Sequence, residues 1–205
     1  MQIIREIKTA SNVIYIYKKN SKLFAFKPTK KLENEILANK LAKLFDVKTL
    51  KIKQAEINDK KGILMDYLND SVLLMYCKKE LNKQQLEQLK RIILFDIWIG
   101  NKDRHSANIL VNDDLIAFDH ERVFQKGTAR SFIKLDTGRK LAKNYVDIIE
   151  RLIGKDLTAK QVLKKLGFTE NDFIMIKDMD IKKIVKNKDK LNYLMSRRDF
   201  SRIKF

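Results

Sequence analysis

The sequence predicts an α+β fold in two lobes, a small β-rich N-lobe over residues 1–68 and a helical C-lobe over residues 69–205. Three observations point there. The first third of the chain is a succession of short β-rich runs around one helical segment, an apolar run ending in Tyr67-Leu68 breaks at polar Asn69-Asp70 as a hinge would, and helical periodicity dominates the rest of the chain. At 205 residues the chain is long enough to bury a sizeable core, and 44% hydrophobic with 34% charged residues excludes a disordered chain.

Within the N-lobe, residues 3–7, 12–17 and 23–27 read as strands, the last two joined by the turn Lys18-Lys19-Asn20-Ser21. Thr9-Ala10-Ser11-Asn12 separates the first two. Its small polar residues let the backbone approach a phosphate, so Thr9 and Ser11 are candidate phosphate contacts although the segment has no glycine. After Pro28, residues 31–45 carry Leu32, Glu35, Ile36, Ala38, Leu41, Ala42 and Phe45 at three- and four-residue spacing, an amphipathic helix with Glu35 beside its apolar face and Glu33 on the exposed one. Residues 50–54 and 62–67 read as two further strands.

In the C-lobe, residues 82–100 read as a buried helix, opened by Asn82-Lys83-Gln84-Gln85 and stopped by Gly100-Asn101, with Phe95 and Trp98 in the core. Residues 109–111 and 115–118 form a hairpin pattern around Asn112-Asp113-Asp114. A polar loop over 125–130, helices near 140–153, 158–166 and 169–177, and a basic helix near 181–195 complete the lobe. There is no internal repeat and no Pro/Gly/Ser-rich linker.

A net charge of +18 and a pI of about 9.8 draw the protein to anions, including nucleic acid, anionic lipid, nucleotides and acidic proteins. The lysines are spread along the chain, which reads first as a compositional bias, and the basic tail reads first as a solvated helix. A single cysteine, Cys77, excludes an intramolecular disulfide and a cysteine-rich zinc site; it reads as a small buried apolar residue in a reducing cytoplasm. No apolar run approaches the roughly 20 residues of a transmembrane segment, and the first residues lack the apolar stretch of a signal peptide. A cytoplasmic location is expected, or delivery into a host cytosol without such a signal.

The chemistry concentrates in residues 100–119. A buried helix stops, a loop exposes Asp103, Arg104, His105 and Asn108, and a hairpin delivers Asp119. Phosphoryl transfer needs such a set, because a triphosphate with its Mg2+ wants hard oxygen ligands while the attacking hydroxyl needs an acceptor. Asn108 lies five residues after Asp103, the separation in the Asp-x-x-x-x-Asn loop in which the Asp accepts the hydroxyl proton and the Asn binds metal. Asp103 is therefore the candidate base or orienter, and Asn108 and Asp119 the candidate metal ligands. His105 either braces the loop or helps to orient the hydroxyl, and His120 either packs or meets phosphate.

The order Asp103-Arg104-His105 with Asn108, followed by Phe118-Asp119-His120, resembles the atypical kinases of the phosphatidylinositol 3/4-kinase-like and HipA-like groups, most specifically over residues 92–124. That resemblance implies a protein-kinase-like fold with ATP and Mg2+ as cofactors. It makes Lys27 the strand lysine that holds the α- and β-phosphates and Glu35 its ion-pair partner. Residues 64–68 would line the adenine pocket, with backbone groups of Asp66, Tyr67 and Leu68 meeting the base. The implied activity is Ser/Thr protein kinase. If the HipA-like group is the nearer one, the chain is a bacterial toxin with an antitoxin or small partner subunit, and autophosphorylation at Thr9 or Ser11 would control it. A departure stands at Glu121, where the family usually has glycine. The rival readings are a phosphoinositide kinase, a pseudokinase and a basic nucleic-acid-binding module.

Overall fold

The structure is a computed structural model that describes residues 2–9, 13–101, 103–124, 166–169, 171–172 and 179–197. Ser11, the loop expected over 125–130 and nearly all of the helices expected between 140 and 177 lie outside the described residues.

Strands β1 (Gln2–Lys8), β2 (Val13–Lys19), β3 (Lys22–Pro28), β4 (Ile52–Ile57) and β5 (Lys60–Asp66) form an antiparallel sheet in the order β1-β2-β3-β5-β4. The alternation of β3 decides what its two faces do. Phe24 and Phe26 join Tyr17 and Leu64 on one face, while Ala25 joins Ile16, Ile63 and Met65 on the other. Lys27 is in phase with Ala25, so the two-residue period places its side chain on that second face.

The β4–β5 hairpin is longer than its sequence suggests. Asn58 and Asp59 both take left-handed backbone, with φ of 50° and 59°, and close a two-residue turn whose twist matches the flanking strands. The turn has no glycine to mark it, so the sequence pattern ends both strands too early. Gly62, opposite Pro28 in the sheet, has a steric purpose: a Cβ at this position would lie 2.2 Å from the Lys27 carbonyl oxygen. Only glycine lets β5 pass this close to the residue before Pro28.

Helix α1 (Leu32–Ala42) follows, continues as a 3-10 turn through Phe45 and ends on Asp46 in the left-handed region. Its buried side is Glu35, Ala38, Leu41 and Ala42, as the spacing predicts, and Glu33 is exposed. Helix α2 (Lys83–Ile99) opens with a capping box, the Asn82 side chain accepting from the Gln85 N–H and the Gln85 side chain from the Asn82 N–H, and closes on Gly100 at φ 69°. Phe45 packs on Phe95 and Trp98 at centroid distances of 5.4 and 5.1 Å, so α1 and α2 share the main core.

A second sheet, in the order β6-β7-β8, consists of β6 (Val72–Leu73), β7 (Ile109–Val111) and β8 (Leu115–Ala117). The β7–β8 hairpin is the expected one. Strand β6 is two residues long, too short for any periodicity to reveal. The last helix, α3, spans Lys188–Met195 rather than starting near residue 181, because Asn187 caps it by accepting from the Lys190 N–H and residues 181–185 turn on the Ile181 carbonyl. Arg197, just beyond it, donates to the carbonyls of Trp98 at 2.8 Å and Ile97 at 2.5 Å, so one cation of the basic tail serves the open carbonyl end of α2 instead of solvent. Cys77 is only partly buried at the edge of the main core. No helix among the described residues is long and apolar enough to cross a membrane.

Candidate active site

Lys27 ends up almost wholly buried, and its ammonium meets three carboxylates: Asp119 Oδ1 at 2.7 Å, Glu121 Oε2 at 3.3 Å and Glu35 Oε1 at 3.5 Å. Three separate stretches of chain supply the group. Strand β3 presents Lys27 by its alternation, α1 presents Glu35 on its buried side, and the loop after β8 presents Asp119 and Glu121. Asp119 holds a left-handed backbone at φ 59°, which costs an aspartate less than most residues and turns the chain back over Lys27. Glu35 is fixed at its other oxygen, since Oε2 accepts the His120 N–H at 2.8 Å. The lysine and glutamate paired from the sequence are thus together, and Asp119 joins them.

Burial pulls the Lys27 ammonium down, but Asp119 with Glu35 and Glu121 outweighs it and raises the lysine above its ordinary range, so Lys27 stays charged. Burial pushes the Glu35 carboxyl up to about 7; Lys27 pulls against this, and Asp119 and Glu121 push the same way as burial. A carboxyl raised on folding binds its proton more tightly in the native state, so its contribution to stability is full below about 4.5 and disappears as pH rises through about 7. Urea unfolding between pH 4.5 and 7.5 should show this fall in wild type and a flatter profile in Glu35→Gln, which cannot ionise; equal slopes would refute it.

The loop between α2 and β7 is built on a buried ion pair. Arg104 is fully enclosed and donates through Nε to Asp96 Oδ2 at 2.8 Å, and through Nη1 to the carbonyls of Asn108 and Phe118, each at 2.7 Å. Asp96 also accepts from Asn101 Nδ2 at 2.9 Å. Asn101 Oδ1 in turn accepts the Asp103 N–H at 3.0 Å, and Asn108 Nδ2 donates to the Asp103 carbonyl at 2.8 Å. These bonds hold Asp103 by its backbone and leave its carboxylate partly exposed, with Arg122 Nε 3.4 Å away. His105 braces the loop, its Nδ1 accepting the Ala107 N–H at 3.2 Å.

His120 resolves to packing. It is buried edge-on against Phe95, and burial, with Arg104 and Lys27 adding to it, lowers its pKa well below the ordinary value, so the ring is neutral. The amides of Asp66 and Tyr67 donate to the carbonyls of Lys51 and Leu23, which leaves Leu68 as the one of the three whose N–H is not committed to the sheet. Thr9 follows β1 at an exposed position.

Three contributors escape a reading of the sequence, Asp96, Thr29 and Asn34, and a fourth, Glu121, stands out there only as a departure from the glycine of the resembled family. Asp96 is the single acid inside the apolar run from Ile92 to Ile99, and a lone charge in such a run signals a buried partner. Thr29 and Asn34 carry no such signal: Thr29 Oγ1 donates to Glu121 Oε2 at 2.9 Å, and Asn34 Nδ2 to the Glu121 carbonyl at 3.2 Å.

Glu35, Asp119 and Glu121 each place a carboxylate oxygen within 4.8 Å of the others. Such a set of hard oxygens around a buried lysine suits a divalent cation carrying phosphates. Over 97% of this chain and 89% of the other, the structure is similar to the Helicobacter pylori proinflammatory kinase CtkA, with 13% identity and a TM-score of 0.52. It is also similar to the Rio2 kinase–ADP/Mg2+–phosphoaspartate complex from Chaetomium thermophilum, over 94% of this chain and 68% of that one, with 12% identity and a TM-score of 0.54. The fold is protein-kinase-like. No protein-family model and no curated protein sequence matches the chain.

Proposed function

We propose that the chain is an ATP- and Mg2+-dependent phosphotransferase acting on protein serine or threonine hydroxyls, after the manner of HipA-like kinases. The observation that carries this reading is the buried Lys27 ammonium held at once by Glu35 of α1 and by Asp119, 92 residues away. Enclosing a lysine among several carboxylates is a weak way to stabilise a fold. As a seat for a triphosphate with its cation it has a purpose.

When bound, ATP supplies the γ-phosphoryl group and Mg2+ neutralises phosphate charge. Lys27 would bind the α- and β-phosphates, Glu35 would orient Lys27, and Asn108 and Asp119 would hold the metal. Asp103, with its carboxylate partly exposed, accepts the proton of the attacking hydroxyl. Leu68 supports the base near the hinge between residues 1–68 and 69–205. Both similar structures are kinases, which supports the reaction class. If the HipA-like resemblance extends to biological role, the chain is the toxin of a toxin–antitoxin pair.

Incubation with γ-labelled ATP and Mg2+, offering a protein mixture in one arm and phosphoinositide vesicles in another, tests the reading. Wild type should give phosphoserine or phosphothreonine by mass spectrometry, and Asp119→Ala should give none. Label on lipid alone would make the protein a lipid kinase, and nucleotide binding without any transfer would make it a pseudokinase.

A further inference from the structure

The acid beyond the metal-site aspartate has a place in the geometry that the phosphotransferase reading does not use. Glu121 Oε2 lies 3.3 Å from the Lys27 ammonium and is anchored from the side by Thr29 Oγ1 at 2.9 Å, while the Glu121 carbonyl is anchored by Asn34 Nδ2 at 3.2 Å. Thr29 and Asn34 both lie between β3 and the first turn of α1, so the residue is pinned at side chain and backbone to the segment that follows Lys27. An ammonium has three donor directions. Asp119 and Glu35 accept hydrogen bonds from it, at 2.7 and 3.5 Å, and Glu121 adds a third carboxylate at 3.3 Å through charge, so a phosphate oxygen has to compete with three carboxylates for the ammonium.

We propose that Glu121 is a built-in competitor for the triphosphate at Lys27, and so sets nucleotide affinity and the dependence of binding on a divalent cation. The proposal deepens the phosphotransferase reading and rests on it. Asp119 and Glu35 have uses once nucleotide is bound, as cation ligand and as partner of Lys27. The phosphotransferase reading gives Glu121 neither role, although its carboxylate lies within 4.8 Å of theirs. A triphosphate entering beside it meets a like charge at close range in a part-buried site, where screening by water is weak. Nucleotide therefore binds when Glu121 leaves Lys27 or when a cation bridges the two. Thr29 and Asn34 also border a groove of about 940 Å³ whose lining holds four lysines, Lys30, Lys31, Lys60 and Lys61, and one acid, Glu33.

The test is the binding of ATP and AMP by the full chain, in EDTA and in saturating Mg2+, for wild type, Glu121→Gln and Thr29→Val. Glu121→Gln removes the charge and keeps an oxygen for Thr29; Thr29→Val keeps every charge and removes the anchor. In EDTA, Glu121→Gln should bind ATP about tenfold or more tightly than wild type. The gain should shrink in Mg2+ and for AMP, whose single phosphate asks less of Lys27. Thr29→Val should move ATP affinity the same way by a smaller factor. A purely structural Glu121 would shift the melting temperature without this ATP-over-AMP, EDTA-over-Mg2+ signature. Unchanged or weaker ATP binding in EDTA by both variants, beside wild type that binds Mg-ATP, overturns the inference alone. Absence of nucleotide binding by all three proteins, with and without Mg2+, overturns the phosphotransferase reading and the inference with it.

Discussion

Asp103→Asn should lower kcat by about two to four orders of magnitude, the range for loss of a positioned general base, while leaving ATP affinity and melting temperature close to wild type. The expectation follows from how the residue is held. Its N–H is bound by Asn101 Oδ1 and its carbonyl by Asn108 Nδ2, and an asparagine keeps both backbone bonds. The carboxylate itself makes a 3.4 Å approach to Arg122, whose side chain is about half exposed, and an exposed pair of that kind contributes at most about 1 kcal/mol. A fall in rate thus reports on proton acceptance and not on folding. Steady-state kinetics at saturating ATP, paired with calorimetric ATP binding, separates the two. An unchanged kcat would remove Asp103 from the mechanism.

Arg104→Met should destabilise the fold by about 3–5 kcal/mol, the usual result of breaking one side of a buried ion pair. Against a typical total of about 5–15 kcal/mol this is a third of the stability or more, so much of the variant would be unfolded at physiological temperature. The side chain is fully enclosed and donates to Asp96, to the Asn108 carbonyl and to the Phe118 carbonyl. Its removal takes the guanidinium away from Asp96, which is 1% exposed and so cannot turn to water instead. It also takes a donor from two carbonyls at the base of the β7–β8 hairpin. Because the cost lies mainly in the abandoned acid, Arg104→Met combined with Asp96→Leu should lose less than the sum of the single changes. Urea midpoints for the four proteins measure this. A loss below about 1 kcal/mol in Arg104→Met would show that the pair does not hold the loop.

The Arg104 result bears on function as well as stability. The same guanidinium joins α2 to the residues that flank the hairpin, Asn108 just before β7 and Phe118 just after β8, the latter next to Asp119. The candidate catalytic loop and the candidate metal aspartate are therefore positioned by one buried cation that touches neither carboxylate.

Much of this protein is legible in the local pattern of its residues. The three- and four-residue spacing of α1 sets Glu35 beside the apolar face of its helix and the alternation of β3 sets Lys27 in phase with Ala25, because each depends only on a local repeat, while the pairing of the two is expected only through resemblance. The capping residues Asn82 and Gln85 and the stop at Gly100 bound α2 for the same reason, each acting on the backbone a few residues away. Local chemistry fails where the decisive partner is distant. The Asn58-Asp59 turn is set by the pairing of β4 with β5. The start of α3 is a local feature that the pattern misses, because the Asn187 cap lies inside a lysine-rich stretch that reads as one helix. The resemblance puts Lys27, Glu35 and Asp119 in one nucleotide site, but neither the direct contact of Asp119 with Lys27 nor the presence of Glu121 in the same cluster is expected from it. A charged side chain near the surface carries no periodic signal, and which cation it reaches depends on how two elements 92 residues apart come together. Sequence alone determined the main strands of the first sheet and the helices α1 and α2; tertiary packing decided that three acids, not two, share one buried lysine.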